Sequence, residues 1–246
     1  MGSREFFESL DSTQRRAVDL ARAGAPTGTT VVASTQTDGT GRLDHRWHSP
    51  RGGLYLSILV DGSQGGPGIL PLAIGLGLRG ILHEQHRVAT RVLWPNDLVV
   101  AQSTGRAAKI AGILVDRIER PGRRPIDVAG IGINANTRLS DFPQELRSRL
   151  TTLREETGSV VDLAALERGV VRVVTSAALR VRDFPGRSAV VEQLSAALYG
   201  VGEQVTVDGR TAGRLTGVEE DGALLVEADG LRTRILAGSI AVGSEA

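Results

Sequence analysis

Two apolar runs, residues 98–100 and 110–115, flank a polar segment carrying Gln102, Ser103, Thr104 and Gly105, and they constrain this chain more than any other stretch. Runs rich in β-branched residues and leucine on either side of turn formers predict a hairpin, since small polar residues and glycine accept turn backbone that the runs cannot. Its open end would bring Trp94, Pro95, Asn96 and Asp97 close to Lys109. A carboxylate, an amide and an ammonium then meet at the edge of an apolar sheet.

The rest of the chain supplies a sheet and its cover. Asp11, Ser12 and Thr13 precede Ala17, Val18, Leu20 and Ala21, with Gly24 and Pro26 beyond, the layout of a short capped helix. Residues 29–33 read as a buried strand and residues 54–60 as another. The polar segment 34–53 between them holds Gly39, Gly41, Gly52 and Gly53 and reads as a loop without structure of its own; loops of that length are uncommon and tend to be functional. A glycine-rich turn over 61–68 leads to a mostly buried helix over 69–86, with Pro71 near its start. Residues 126–133 form a strand in which Gly130 and Gly132 alternate with isoleucine, so one face admits close approach.

Residues 137–160 are polar and partly helix-prone, 163–181 carry an amphipathic stripe, and Pro185-Gly186 predicts a break before a last helix over 189–198. Three Asp-Gly turns, at 208–209, 221–222 and 229–230, then predict a small antiparallel barrel of hairpins. The expected division is therefore residues 1–198 and 199–246.

Composition narrows the function. With 29 basic and 28 acidic residues, net charge suggests neither a nucleic-acid nor a membrane partner. The absence of cysteine removes disulfides, thiolate metal sites and cysteine nucleophiles. The most apolar run, 69–82, is too short to span a bilayer, and Arg4, Glu5 and Glu8 interrupt any signal peptide, so a soluble cytoplasmic protein is expected.

Five segments, in order, resemble the bacterial biotin protein ligases. They are Asp11-Ser12-Thr13, Gly53-Leu54-Tyr55-Leu56-Ser57, Trp94-Pro95-Asn96-Asp97, Lys109-Ile110-Ala111-Gly112-Ile113-Leu114 and Gly130-Ile131-Gly132-Ile133-Asn134. The resemblance implies an α+β fold: a central mixed sheet flanked by helices, like class II aminoacyl-tRNA synthetases, followed by an SH3-like barrel. It also implies a two-step reaction in which biotin and ATP form biotinyl-5'-adenylate, which a lysine of a biotin carboxyl carrier protein domain then attacks. Such chemistry needs an apolar slot, donors and acceptors for a ureido ring, and positive charge at the α-phosphate.

Carried over from the matching motifs, Lys109 and Arg42 are the catalytic candidates. Ser12, Thr13, Gln14, Gln36, Gly39, Thr40, Gly41, Arg42, Trp47, Lys109, Gly112, Leu114 and Gly130 are the candidates for biotin, with Trp47 closing over either biotin or adenine. Arg42, Trp47, Asn96, Asp97, Lys109 and Asn134 are those for ATP and the adenylate. Asp97 would orient basic groups or magnesium, with no metal site assigned. About ten residues precede Asp11, too few for the winged helix of the family's repressors, so no DNA binding is expected. Family dimers form through the sheet edge, but no sequence feature identifies that surface.

One loop departs from the family. Where ligases carry Gly-Arg-Gly-Arg-Arg-Gly, this chain has Gly39-Thr40-Gly41-Arg42-Leu43-Asp44, and Gln14 replaces an asparagine. His45 and His48 bracket Trp47 as substitute cations or as ordinary loop residues. His83 and His86 have helical spacing but no third ligand nearby, which reads as a solvated helix end. Two other functions fit the residues: a non-catalytic biotin or adenylate binder, and a ligase for lipoate or octanoate.

Overall fold

The computed structural model describes residues 2–63, 68–103 and 105–243. Thr104 of the expected hairpin turn, residues 64–67 of the glycine-rich turn, residues 244–246 and the side chain of Asp44 lie outside what is described.

In chain order the elements are β1 (Arg4–Phe7), α1 (Thr13–Arg22), β2 (Thr30–Ala33), β3 (Gln36–Thr40), β4 (Arg46–Ser49), β5 (Leu54–Asp61), α2 (Leu70–His86), β6 (Arg91–Leu93), β7 (Asp97–Ala101), β8 (Ala107–Ile118) and β9 (Ile126–Ile133). They continue with α3 (Leu153–Thr157), α4 (Leu163–Arg180), α5 (Phe184–Ala197), β10 (Gln204–Val207), β11 (Arg210–Val218), β12 (Leu224–Ala228), β13 (Leu231–Ile235) and β14 (Ile240–Val242). Seven strands form one sheet in the order β1-β2-β5-β9-β8-β7-β6. It is mixed, because β1 runs parallel to β2 while the remaining pairs are antiparallel. A second, five-stranded antiparallel sheet has the order β13-β12-β11-β10-β14.

Side chains alternate across a strand, so each strand supplies two surfaces. Leu54, Leu56, Ile58, Ile113, Ala129, Ile131 and Ile133 join the large core under α2, α4 and α5. The opposite surface carries Val31, Leu59, Ile126 and Val128 against Ala17 and Ala21 of α1. Farther along that second surface the side chains shrink: Ser57 pairs with Gly130, which pairs with Leu114, and Gly132 pairs with Gly112, which pairs with Asp97. Removing side chains from one patch of a covered sheet leaves a cleft.

Two expectations need correction. Pro185 and Gly186 do not break the helix but open it: Asp183 caps α5 by accepting from Gly186 N at 2.9 Å, and proline in the first turn lacks an N–H that would have no helical partner. The segment 34–53 is not without structure, since β3 and β4 pair as a hairpin within it. The expected helices over 69–86 and 163–181 match α2 and α4 to within a residue at each end, and the strand over 126–133 is β9.

Trp94 is a core residue. It is 2% exposed, and its Nε1 donates to Gly222 O at 2.9 Å, tying the strand edge at β6–β7 to the turn before β12.

Candidate active site

Lys109 reaches the cleft through an irregularity. Asp97 pairs with Gly112 and Leu98 with Ala111, but Val99 pairs with Lys109, so one residue of β8 is passed over. A bulge of this kind moves the following side chains to the other face. Lys109 therefore emerges on the glycine surface. There its Nζ lies 2.8 Å from Asp97 Oδ1 and 5.1 Å from the centroid of Trp47. Its backbone is fixed from the side as well, since Lys109 N donates to Arg149 O and Lys109 O accepts from Thr151 N, both at 2.9 Å.

Trp47, delivered by β4, lies flat over the missing side chains. A Cβ on Gly132 would stand 2.4 Å from Trp47 Cε2, and one on Gly112 would stand 2.8 Å from Cζ3. Gly132→Ala is accordingly expected to displace the indole and destabilise the chain by about 1–3 kcal/mol through overpacking. The chain has two tryptophans and Trp94 is fully packed, so a shift in emission spectrum reports Trp47, and an unchanged spectrum would contradict this packing.

The cleft is about 270 Å³. Ser12, Thr13, Gln14, Gln36, Thr40, Gly41, Arg42, Trp47, Asn96, Asp97, Lys109, Gly112, Leu114 and Gly130 all line it. Gly39 does not; it faces the other strand of its hairpin, where a Cβ would meet Trp47 O at 2.5 Å. Asn134 lies outside the cleft too. Its Nδ2 donates to Thr151 O at 3.1 Å and Lys109 O at 3.4 Å, and it lines a neighbouring cavity of about 240 Å³ with Trp47, Lys109, Arg46, Phe142, Leu146, Arg149 and Leu150. Arg46, Trp47 and Lys109 thus form a wall common to both spaces.

Asn96 donates to Ile113 O at 2.7 Å and Ile113 N donates to Asn96 O at 2.9 Å, so this residue braces the corner that presents Asp97. Arg42 is half-buried, with Nη1 reaching Gly238 O at 3.4 Å. Burial lowers its pKa, while the fields of Asp97 and Asp208 act in the opposite direction. A partly desolvated cation of this kind favours an anionic ligand.

Comparison with known proteins agrees with this geometry. Residues 6–136 match the model of the biotin/lipoate A/B protein ligase family. The chain is 31% identical to the bifunctional ligase/repressor BirA of Bacillus subtilis (strain 168), an alignment covering 97% of this chain and 73% of that protein. For the BirA of Escherichia coli (strain K12) the figures are 30%, 99% and 75%. The solved biotin protein ligase from Aquifex aeolicus in complex with biotin and ATP superposes with a TM-score of 0.80 at 29% identity, over 98% of this chain and 99% of that one. The chain belongs to the biotin protein ligase family.

In this ligase the structure adds cleft residues that were not among the site candidates. Gly132, marked by its sequence as a point of close approach, lines the cleft, and so does Ser57, which faces Gly130 across one sheet register. Ser239 and Ile240 also line it, arriving from the second sheet. No local pattern announces that approach. The departures in the ligase loop have visible consequences: Thr40 Oγ1 lies 3.2 Å from Ser12 Oγ, and Leu43 is 66% exposed with φ at 51°. His45 lines the cleft and His48 the neighbouring cavity. Among the described residues no three His, Cys, Asp or Glu side chains gather to hold a metal, and His83 and His86 join none. No helix among them is long and apolar enough to cross a membrane.

Proposed function

We propose that this ligase seats biotin in the glycine-floored cleft and the adenine of ATP in the neighbouring cavity, with Lys109 and Arg42 at the junction where the two substrates react. The observation that carries this reading is the position of Lys109 on the wall shared by the two spaces. The hydroxyls and amides of Ser12, Thr13, Gln36 and Ser57 suit a ureido ring at the closed end. Phe142, Leu146 and Leu150 offer an apolar seat for a base, and Arg46 and Arg149 supply charge near its phosphates.

In the first step a biotin carboxylate oxygen attacks the α-phosphorus and the bond to pyrophosphate breaks. Negative charge builds on the α-phosphate oxygens, where an ammonium and a half-buried guanidinium stabilise it without first having to reorganise. The ion pair of Lys109 with Asp97 holds the ammonium aimed at that point. In the second step the amine of a carrier lysine attacks the carbonyl carbon of the mixed anhydride. An amide forms, AMP leaves with the bonding electrons, and the amine sheds a proton. The acceptor on this reading is a biotin carboxyl carrier domain.

Magnesium needs few protein ligands when it arrives on a nucleotide, and Asp97 is the carboxylate lining the cleft among the described residues. A triphosphate-borne ion held by Asp97 fits this donor set, and it would neutralise charge on the phosphates.

The altered loop carries its own prediction. Thr40→Arg restores a cation beside the cleft, and one charge-assisted hydrogen bond contributes about 1.5–3 kcal/mol. Release of biotinyl-adenylate should slow by roughly tenfold or more, read by stopped-flow chase, whereas an unaltered off-rate would show that the loop does not close over the adenylate. The seating of the two substrates is tested by Leu146→Trp, which should raise KM for ATP and leave the affinity for biotin unchanged.

A further inference from the structure

The closed end of the cleft has hydrogen-bond directions that are set from outside it. Gln14 spends both hydrogens of Nε2, on Asp116 Oδ2 at 2.9 Å and on Val128 O at 3.0 Å. A carboxylate and a carbonyl both accept, so the amide cannot turn over without opposing its oxygen to two acceptors. Oε1 therefore faces Ser57, whose hydroxyl donates to it at 2.9 Å and, sharing the same proton, to Thr13 Oγ1 at 3.0 Å.

Thr13 is constrained in the same sense. Its N–H fixes Gln36 Oε1 as an acceptor at 2.8 Å, and its hydroxyl donates to that same oxygen at 3.1 Å. Gln36 is held from behind, its Nε2 donating to Ser49 Oγ at 2.7 Å, which in turn donates to Trp47 O at 3.2 Å. The protons of Ser57 and Thr13 thus point into the wall, leaving lone pairs for the ligand. Gly130 completes the arrangement, since a Cβ there would stand 2.3 Å from Gln14 Oε1.

Asp116 lies two residues beyond Leu114 on β8, on the same face but outside the lining of the cleft. We propose that Asp116 is a positioning residue for specificity: through Gln14 it holds Ser57 and Thr13 as acceptors, and so selects a ring that presents N–H donors. The inference rests on the reading that biotin is the acid bound.

Calorimetry on the full chain tests it with two probes, biotin and a biotin methylated on its ring nitrogens. In Asp116→Ala the affinity for biotin should fall by about tenfold or more while that for the methylated probe changes little, so that discrimination between them shrinks. The rate of pyrophosphate release at saturating biotin should stay within about twofold, because Lys109 and Arg42 are untouched. Asp116→Asn keeps an acceptor oxygen and should preserve discrimination. Gln14→Asn draws the amide back from both Asp116 and Ser57 and should lower discrimination between the probes as Asp116→Ala does. These two variants keep the test open if Asp116→Ala does not fold. Unchanged discrimination, or an equal loss for both probes, overturns the role of Asp116 while biotin binding by the unaltered chain stands. Failure of the unaltered chain to bind biotin overturns the underlying reading and this inference together.

Discussion

Replacing Lys109 with alanine is expected to lower biotin-dependent pyrophosphate release by about a hundred- to a thousandfold, the range seen when a preorganised charge-stabilising donor is removed. The fold should survive. The Lys109 side chain is 34% exposed and paired at the edge of the cleft, so its loss strands no charge in a dry core. Asp97 Oδ1, which is buried and has no other partner, then loses the ammonium, while the side chain as a whole stays 21% exposed to the cleft, where water can replace it. Adenylate formation is measured by pyrophosphate release and folding by circular dichroism. Undiminished release from a folded variant would remove Lys109 from the chemistry.

Trp94→Ala should instead act on stability, lowering it by about 3–5 kcal/mol. That is a large part of the roughly 5–15 kcal/mol typical of a whole domain. The indole is almost fully enclosed, and its loss both empties a volume in the main core and strips Gly222 O of its donor. Trp94→Phe keeps most of the volume and removes the hydrogen bond, so about 1–3 kcal/mol should go. Urea unfolding followed by circular dichroism gives both values. A loss below about 1 kcal/mol in Trp94→Ala would mean that the tie between the two sheets contributes little.

Much of this ligase is legible because its site interrupts ordinary patterns. Glycines alternating with isoleucine on β9 and a lysine followed by a glycine-bearing apolar run on β8 are choices a plain core does not call for, and both mark the floor of the cleft. What stays hidden depends on distance or on a single register step. The approach of Lys109 to Asp97 is legible in the hairpin, but the shift between Leu98 and Val99 that turns its side chain to the cleft is encoded by no side-chain pattern. The strands β1 and β6, of four and three residues, are too short to show a period of two. The hairpin of β3 and β4 escapes because its residues, Gly39, Thr40 and Arg46 among them, follow no alternating apolar pattern.

Motif residues also divide by task in a way that spelling alone does not reveal. Within Trp94-Pro95-Asn96-Asp97, Trp94 packs the core, Asn96 braces backbone, and Asp97 alone pairs with the lysine. Asn134 likewise spends its amide on carbonyls of Lys109 and Thr151, fixing the strand that carries the ammonium.

The most direct measurement is pyrophosphate release from ATP by the purified protein, with and without biotin, alongside calorimetric binding of biotin. Release that depends on biotin, with binding to a single site, is the predicted result. Biotin binding without release would contradict the catalytic assignment of Lys109 and Arg42 and leave a binding protein, while absence of both would mean that the cleft accepts a different acid.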